Sequence, residues 1–171
     1  MNDSLALDFD RLETGLAVTT RGRTITESDL VSFSALTGDW HPQHADASWA
    51  AESAFGERIA HGMLVLSYAV GLLPIDPTRV TALRGLRRVV FKRPVPIGTT
   101  IRAEAEVAAL RPLDPGHGIV ELTLKVRDDH GRLVARASID ALWRREAGEA
   151  AAGEPPAEPE LAPVNGDGVL L

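Results

Sequence analysis

The stretch from Ala60 to Leu73 (AHGMLVLSYAVGLL) is apolar nearly all the way round a helix and is stopped by Pro74. A helix without a polar face is a helix buried on every side. The rest of the chain must therefore supply a surface that wraps it. Its longest apolar run, Met63 to Leu73, is far shorter than the about 20 residues needed to cross a bilayer. Four stretches of period-two alternation follow: Arg84 to Phe91, Thr99 to Leu110, Gly118 to Asp128 and Arg132 to Trp143. The segments KRPVPIG, PLDPGHG and DDHG read as the turns between them. Asp129, His130 and Gly131 suit a tight hairpin, so the last two strands should pair antiparallel. Pro94 and Pro96 belong at an edge or a bend, because proline has no N–H for a central ladder. The expectation is an α+β domain in which an antiparallel sheet wraps a buried central helix.

The N-terminal half adds a strand and shorter helices. Leu16 to Thr26 alternates like a strand. Thr26 is a good N-cap, and Asp29 supplies a short version of the capping-box acid. The helix that follows should bury Leu30, Phe33 and Leu36 or Thr37, and end at Gly38. Asp46 can cap a second short helix that ends at Gly56.

With 171 residues, 44% of them hydrophobic, the chain suits one domain. That domain is placed at residues 1–145. Six of the 24 acidic residues lie in 146–171, which has no Lys or Arg, leaving 18 acidic against 18 basic before it. This Ala/Pro/Glu-rich tail reads as disordered. No cysteine is present, which excludes disulfides and thiolate metal sites. The acidic, charge-broken N-terminus does not resemble a signal peptide, and a cytoplasmic protein is expected. A neutral body without base-stacking aromatics among its arginines argues against nucleic acid.

Chemistry concentrates between Thr37 and Ser67, which hold Asp39, His41, His44 and His61, three of the five histidines. Asp39 and His44 lie five residues apart around a proline turn and can face one cavity. Taken singly, each has a structural reading: Asp39 closes a turn, His44 is a loop histidine, His61 is a hydrogen-bonded residue at a helix start. Trp40 and Trp49 read as packing, and Ser67 as a buried hydroxyl bonded to its own helix. His-x-x-His in a proline turn is poor metal geometry, so neither a metal nor another cofactor is expected. Between Pro77 and Ala103 there are seven basic residues, Arg79, Arg84, Arg87, Arg88, Lys92, Arg93 and Arg102, and no acidic ones. They are either a solvated strand face or a landing surface for phosphates or an acidic carrier protein.

Gly38-Asp39-Trp40-His41-Pro42-Gln43-His44, followed by His61-Gly62-Met63, resembles the paired motifs of the MaoC-like dehydratases, the group that includes the (R)-specific enoyl-CoA hydratases. That group carries Gly-Asp-x-Asn-Pro-x-His and then a helix opening His-Gly-Met. The likeness runs from about Leu16 to Arg145 and includes FKRPVPIGTTI. It implies a single hotdog domain and a homodimer with the thioester channel between subunits. It also implies water addition to, or removal from, an acyl-CoA or acyl-carrier-protein thioester. By this resemblance His44 and Asp39 activate water and shuttle the proton. Gly62, at a helix start, is suited to hold the thioester oxygen on its N–H. His41, His61, Met63, Ser67, Arg88, Lys92 and Arg93 complete the substrate-binding candidates. Two departures stand out: His41 replaces the usual Asn, and Val70 sits where some members place a serine. A hotdog thioesterase, a carrier-protein dehydratase of secondary metabolism and an inactive partner subunit are the alternatives.

Overall fold

A computed structural model describes residues 5–146. The tail expected over 146–171 thus lies, beyond Glu146, outside the described residues. In chain order the elements are β1 (Ala17–Thr19), β2 (Arg23–Thr24), α1 (Glu27–Thr37), α2 (Pro42–Ala45), α3 (Ala47–Glu52), α4 (Gly62–Gly71), β3 (Val80–Phe91), β4 (Thr100–Pro112), β5 (His117–Arg127) and β6 (Leu133–Arg144). A six-stranded sheet in the order β1-β4-β5-β6-β3, with β2 also on β4, is antiparallel throughout. The four long strands fall within a few residues of the alternating segments. The β5–β6 hairpin turns through Gly131, whose φ of 74° is left-handed.

The expected first strand is two pieces. Ala17 pairs with Glu106 and Arg23 with Ile101, but between them the Thr20 hydroxyl accepts from the Ala103 amide at 3.0 Å. A side chain has taken a place in the ladder that a backbone carbonyl would fill, so regular pairing lapses there.

Leu64, Val65, Leu66 and Ala69 of α4 are buried against Ala103, Val107, Leu122, Leu124 and Ile139 of the sheet and their neighbours. Each such side chain removed from water is worth about 1.5–3 kcal/mol. The helix is not enclosed on every side, however. Met63 is 50% exposed, and Ser67 is exposed too, although its hydroxyl does donate to the Met63 carbonyl at 2.7 Å as expected. One sheet can cover only one side of a helix.

Helix α1 begins with the expected capping box: the Thr26 hydroxyl accepts from the Asp29 N–H and the Asp29 carboxylate from the Thr26 N–H. Its buried face differs from expectation. Leu30 and Ser34 are buried, whereas Leu36 is 82% exposed. Ser34 takes the inner position because its hydroxyl lies 3.2 Å from His61 Nε2. Asp46 caps α3 through the Trp49 N–H at 3.0 Å, but that helix ends at Glu52 rather than Gly56.

Candidate active site

The loop that carries Asp39 and His44 is set by a chain reversal. Gly38 adopts φ 78°, a left-handed conformation natural to glycine, and its N–H closes α1 on the Ser34 carbonyl at 2.8 Å. The next residue, Asp39, accepts the His41 N–H on its carboxylate at 3.2 Å, a local turn bond of the kind aspartate favours. His41 then caps α2, with Pro42 at the first helical position, where its missing N–H costs nothing. This short helix was not anticipated. It buries His44.

The hydrogen bonds of His44 fix its proton. Its Nδ1 lies 2.6 Å from the Ile59 carbonyl, which can only accept, so Nδ1 carries the hydrogen. Nε2 is then a lone-pair acceptor, and the Gln43 side-chain amide donates to it at 3.0 Å. Burial pushes the His44 pKa below the ordinary histidine value; the bond to Ile59 opposes this, and the neighbouring His61 reinforces it. His44 is thus a neutral base with its lone pair on the nitrogen away from the backbone.

Behind it, the His61 ring stacks on His44 with centroids 3.7 Å apart. The same carbonyl argument places a hydrogen on His61 Nε2, which lies 3.1 Å from the Asp39 backbone oxygen and 3.2 Å from the Ser34 hydroxyl. His61 therefore ties α1 and the Asp39 turn to the start of α4. Its Nδ1 is buried and has no hydrogen-bond partner among the described residues.

His61 is also the N-cap residue of α4, and its side chain makes no cap bond to that helix. The first N–H groups of a helix have no partner within it, and the helix dipole makes this end partly positive. Gly62 lies in the wall of the adjoining cavity. A Cβ at position 62 would come within 2.8 Å of the Phe91 ring, so only glycine fits beneath that ring without displacing it.

The cavity has a volume of about 620 Å³. Asp39, His44, His61, Gly62, Met63, Lys92 and Arg93 all line it, together with an apolar lining that includes Phe33, Phe55 and Phe91. His41, Ser67 and Arg88 are not in its wall. Arg88 instead occupies an irregularity of β3, with φ 52°. Two other members of the basic stretch are committed elsewhere: Arg79 pairs with Asp8 and Arg87 with Glu121 and Asp140. Trp40 and Trp49 are about half exposed rather than packed inside. Gln43, Ser34, the Ile59 carbonyl and Phe91 were missed in the sequence. Gln43 carried a signal, since it adjoins His44 within the motif; the others depend on tertiary contacts.

Asp39, His44 and His61 each bring one possible ligand atom within 4.8 Å of the others. Both nitrogens of His44 and Nε2 of His61 are already engaged by protein groups. A basic nitrogen and a carboxylate this close are suited to proton transfer.

The model of the MaoC-like domain matches residues 12–128. The chain belongs to the MaoC-like dehydratase family. It is 37% identical over 107 residues to the (R)-specific enoyl-CoA hydratase of Aeromonas caviae, which covers 62% of this chain and 77% of that protein. It is 41% identical over 95 residues to Protein MaoC of Klebsiella aerogenes, covering 55% of this chain but spanning 28% of the length of that relative. Among solved structures, an Archaeoglobus protein described as a monoamine oxidase regulatory protein superposes with a TM-score of 0.78 at 38% identity, over 82% of this chain and 96% of the other. A Mycobacterium tuberculosis protein with a double hotdog fold gives 0.74 at 24% identity, over 90% of this chain and 48% of that one. The α+β arrangement of this MaoC-like chain, a curled antiparallel sheet on a central helix, is a single hotdog domain.

Proposed function

We propose that this protein is a hydro-lyase that adds water to, or removes it from, the α,β double bond of an acyl thioester, with (R) stereochemistry at the hydroxylated carbon. The observation that carries this reading is the meeting of three groups on one cavity: the lone pair of His44 Nε2, the Asp39 carboxylate and the uncapped start of α4 at Gly62.

In the hydration direction, the thioester carbonyl oxygen takes the Gly62 N–H. This withdraws electrons from the double bond and supports the enolate-like oxygen that develops. A water molecule held between His44 Nε2 and Asp39 displaces the Gln43 amide from the imidazole. Its oxygen bonds to the β-carbon while one of its protons passes to the base. The α-carbon gains a proton from the same acid–base pair, so the elements of one water are added and the pair returns to its starting state. Dehydration is the reverse. A neutral His44 is the form this chemistry needs, and burial favours it.

Lys92 and Arg93, on the cavity wall, are placed to receive the phosphates of coenzyme A or the acidic surface of a carrier protein. The apolar lining takes the acyl chain. We assign the assembly as a homodimer: β3 is an edge strand with Leu83 54% and Leu86 36% exposed, and α4 leaves Met63 uncovered. An open strand edge beside exposed apolar side chains favours pairing with another chain. Among the described residues no helix is long and apolar enough to cross a membrane. A cytoplasmic setting, with which the lack of cysteine is compatible, is part of the proposal.

The test is loss of enoyl absorbance with crotonyl-CoA and longer enoyl-CoA substrates, run beside the matching carrier-protein thioesters. Water addition supports the proposal. Release of free thiol from saturated acyl-CoA without loss of the enoyl band identifies a thioesterase instead and overturns it.

A further inference from the structure

A titratable side chain stands at the head of the turn that carries His44 without lining the cavity. His41 is exposed, and its Nδ1 accepts the backbone N–H of Gln43 at 3.2 Å, which makes the imidazole the N-cap of α2. We propose that His41 is a positioning residue whose neutral imidazole holds the His44 turn in register, so that protonating it releases the turn and sets the acid limit of activity. The inference rests on the hydratase reading above for its kinetic consequence.

The bond pattern shows what the cap supports. Gln43 is a hub: its N–H goes to His41, its carbonyl accepts the Ile59 N–H at 3.1 Å, and its side-chain amide reaches His44 Nε2. The Ile59 carbonyl in turn takes the His44 Nδ1 hydrogen. Gln43, Ile59 and His44 therefore form a closed circuit of bonds, to which the His41 cap is attached through the Gln43 N–H. A neutral imidazole can accept at Nδ1, whereas an imidazolium has two donors and no acceptor. Once protonated, His41 opposes its own N–H to that of Gln43. Asparagine at this place would cap the helix at every pH.

The neighbours of this ring come chiefly from its own turn and from α3. The Asp39 carboxylate accepts the backbone N–H of His41. His44 lies edge-on at 6.3 Å between centroids, with His61 stacked against it. From α3 the contact is Trp49, edge-on at 5.5 Å, which does not titrate; the Asp46 carboxylate between α2 and α3 is committed to the Trp49 N–H. Lys92 and Arg93 lie on the cavity wall shared with Asp39 and His44.

These neighbours make the direction of the pH effect decisive. If His41 acted on His44 by charge alone, its removal would relieve repulsion, let His44 protonate more readily and move the acid limb of the profile to higher pH. If it acts as the cap, a non-titrating acceptor in its place moves that limb to lower pH.

The experiment measures kcat/KM for crotonyl-CoA against pH for the wild type, His41→Asn and His41→Ala, and follows the Gln43 backbone amide by NMR through the same titration. His41→Ala is expected to lose about five- to tenfold at neutral pH, the scale of a lost N-cap. His41→Asn should recover most of that loss, and its acid limb should lie at lower pH by about half a unit or more, since asparagine stays an acceptor where an imidazolium has none. In the wild type the Gln43 amide should move with the ionisation of the His41 ring, and in His41→Asn that movement should vanish. Coincident acid limbs in wild type and His41→Asn, an acid limb displaced upward, or an asparagine variant as impaired as the alanine one would each overturn the proposal. Should His41→Ala fail to fold, the asparagine profile and the amide titration still decide. If the wild type hydrates nothing, the hydratase reading fails on its own. The Gln43 amide then remains the test, and an amide insensitive to the His41 ring refutes the cap.

Discussion

Helices α1 and α4 begin in opposite ways. At α1 the chain satisfies itself: Thr26 and Asp29 exchange bonds across the first turn, and the same Asp29 accepts from the Tyr68 hydroxyl at 2.6 Å and from Arg23 at 2.8 Å. At α4 the N-cap residue is His61, whose side chain turns to the Asp39 carbonyl and Ser34 instead of the helix, and no cap bond is made. Orphan N–H groups at a helix start are costly to bury without a partner. One end is finished by the fold. The other is left open toward the cavity that Gly62 lines. The difference separates residues that hold this protein together from those proposed to do its chemistry, although both ends lie in the same small domain.

The sharpest way to break that comparison is at the open end. Asp39→Asn and His44→Ala should each lower kcat for crotonyl-CoA hydration by about 10²- to 10⁴-fold, the usual contribution of a positioned acid–base group. Asp39 is exposed, so its variant should melt with the wild type in the same scan; His44 is buried and its variant should melt lower. Comparable turnover in both variants and the wild type would mean that the open helix start serves no hydration chemistry.

Gly62→Ala should cost less. The added methyl meets the Phe91 ring at 2.8 Å and displaces it across the helix start. A misplacement of this size should reduce kcat/KM by about ten- to a hundredfold. Combining it with Phe91→Ala opens the space again, so the double variant should be more active than Gly62→Ala alone. Equal loss in both would locate the defect in the glycine backbone and not in the ring.

The two helix ends also differ in how far the amino-acid sequence disclosed them. The capping box at Thr26 and Asp29 was legible because all its parts lie within four residues, and local bonds obey local rules. The four long strands were legible for a similar reason, since alternation records which face is buried. The open end was located by the paired motifs around Asp39 and His61, but its workings were not. The bond from His44 to the Ile59 carbonyl spans 15 positions and that from Ser34 to His61 spans 27. No periodicity encodes such contacts. The same holds for Leu36, whose helical spacing predicted burial while Ser34 took the inner place for the sake of His61. His41 was noticed as a departure from the family pattern. Its role as a cap emerged only from the geometry of α2.

At the closed end the expected effect is on stability and not on rate. Asp29→Ala removes the acceptor for Thr26, Tyr68 and Arg23 together and should destabilise by about 2–3 kcal/mol, the scale of leaving such donors unpaired. Turnover by the molecules that remain folded should stay within about twofold of the wild type, since a change away from the cavity leaves the transition-state contacts in place. Thermal unfolding and kinetics below the transition separate the two quantities. A large loss of kcat with little change in melting temperature would place Asp29 with the reactive residues and dissolve the distinction between the helix starts.

The smallest effect tests both ends in a single stability–pH curve. Burial of Asp29 pushes its pKa up, but hydrogen bonds from Tyr68 and Thr26, with Arg23 nearby, outweigh it and leave the pKa lowered. A carboxyl depressed in the folded state contributes stability above its unfolded value, about 3.9, and that contribution is lost as pH falls toward the folded value. His44 is lowered too, chiefly by burial. For a histidine the consequence begins at a higher pH. Below the unfolded value of about 6.5 the unfolded chain takes up a proton that folded His44 still refuses, so stability declines as pH falls and stops declining below the folded value. Both contributions therefore have the same sign but occupy separate windows. His44→Gln should flatten the upper window and leave the lower one; Asp29→Asn should do the reverse. Denaturant unfolding at closely spaced pH values measures both slopes. If His44→Gln leaves the slope just below pH 6.5 unchanged, the imidazole is not held neutral by the fold, and the open end lacks the base that its chemistry requires.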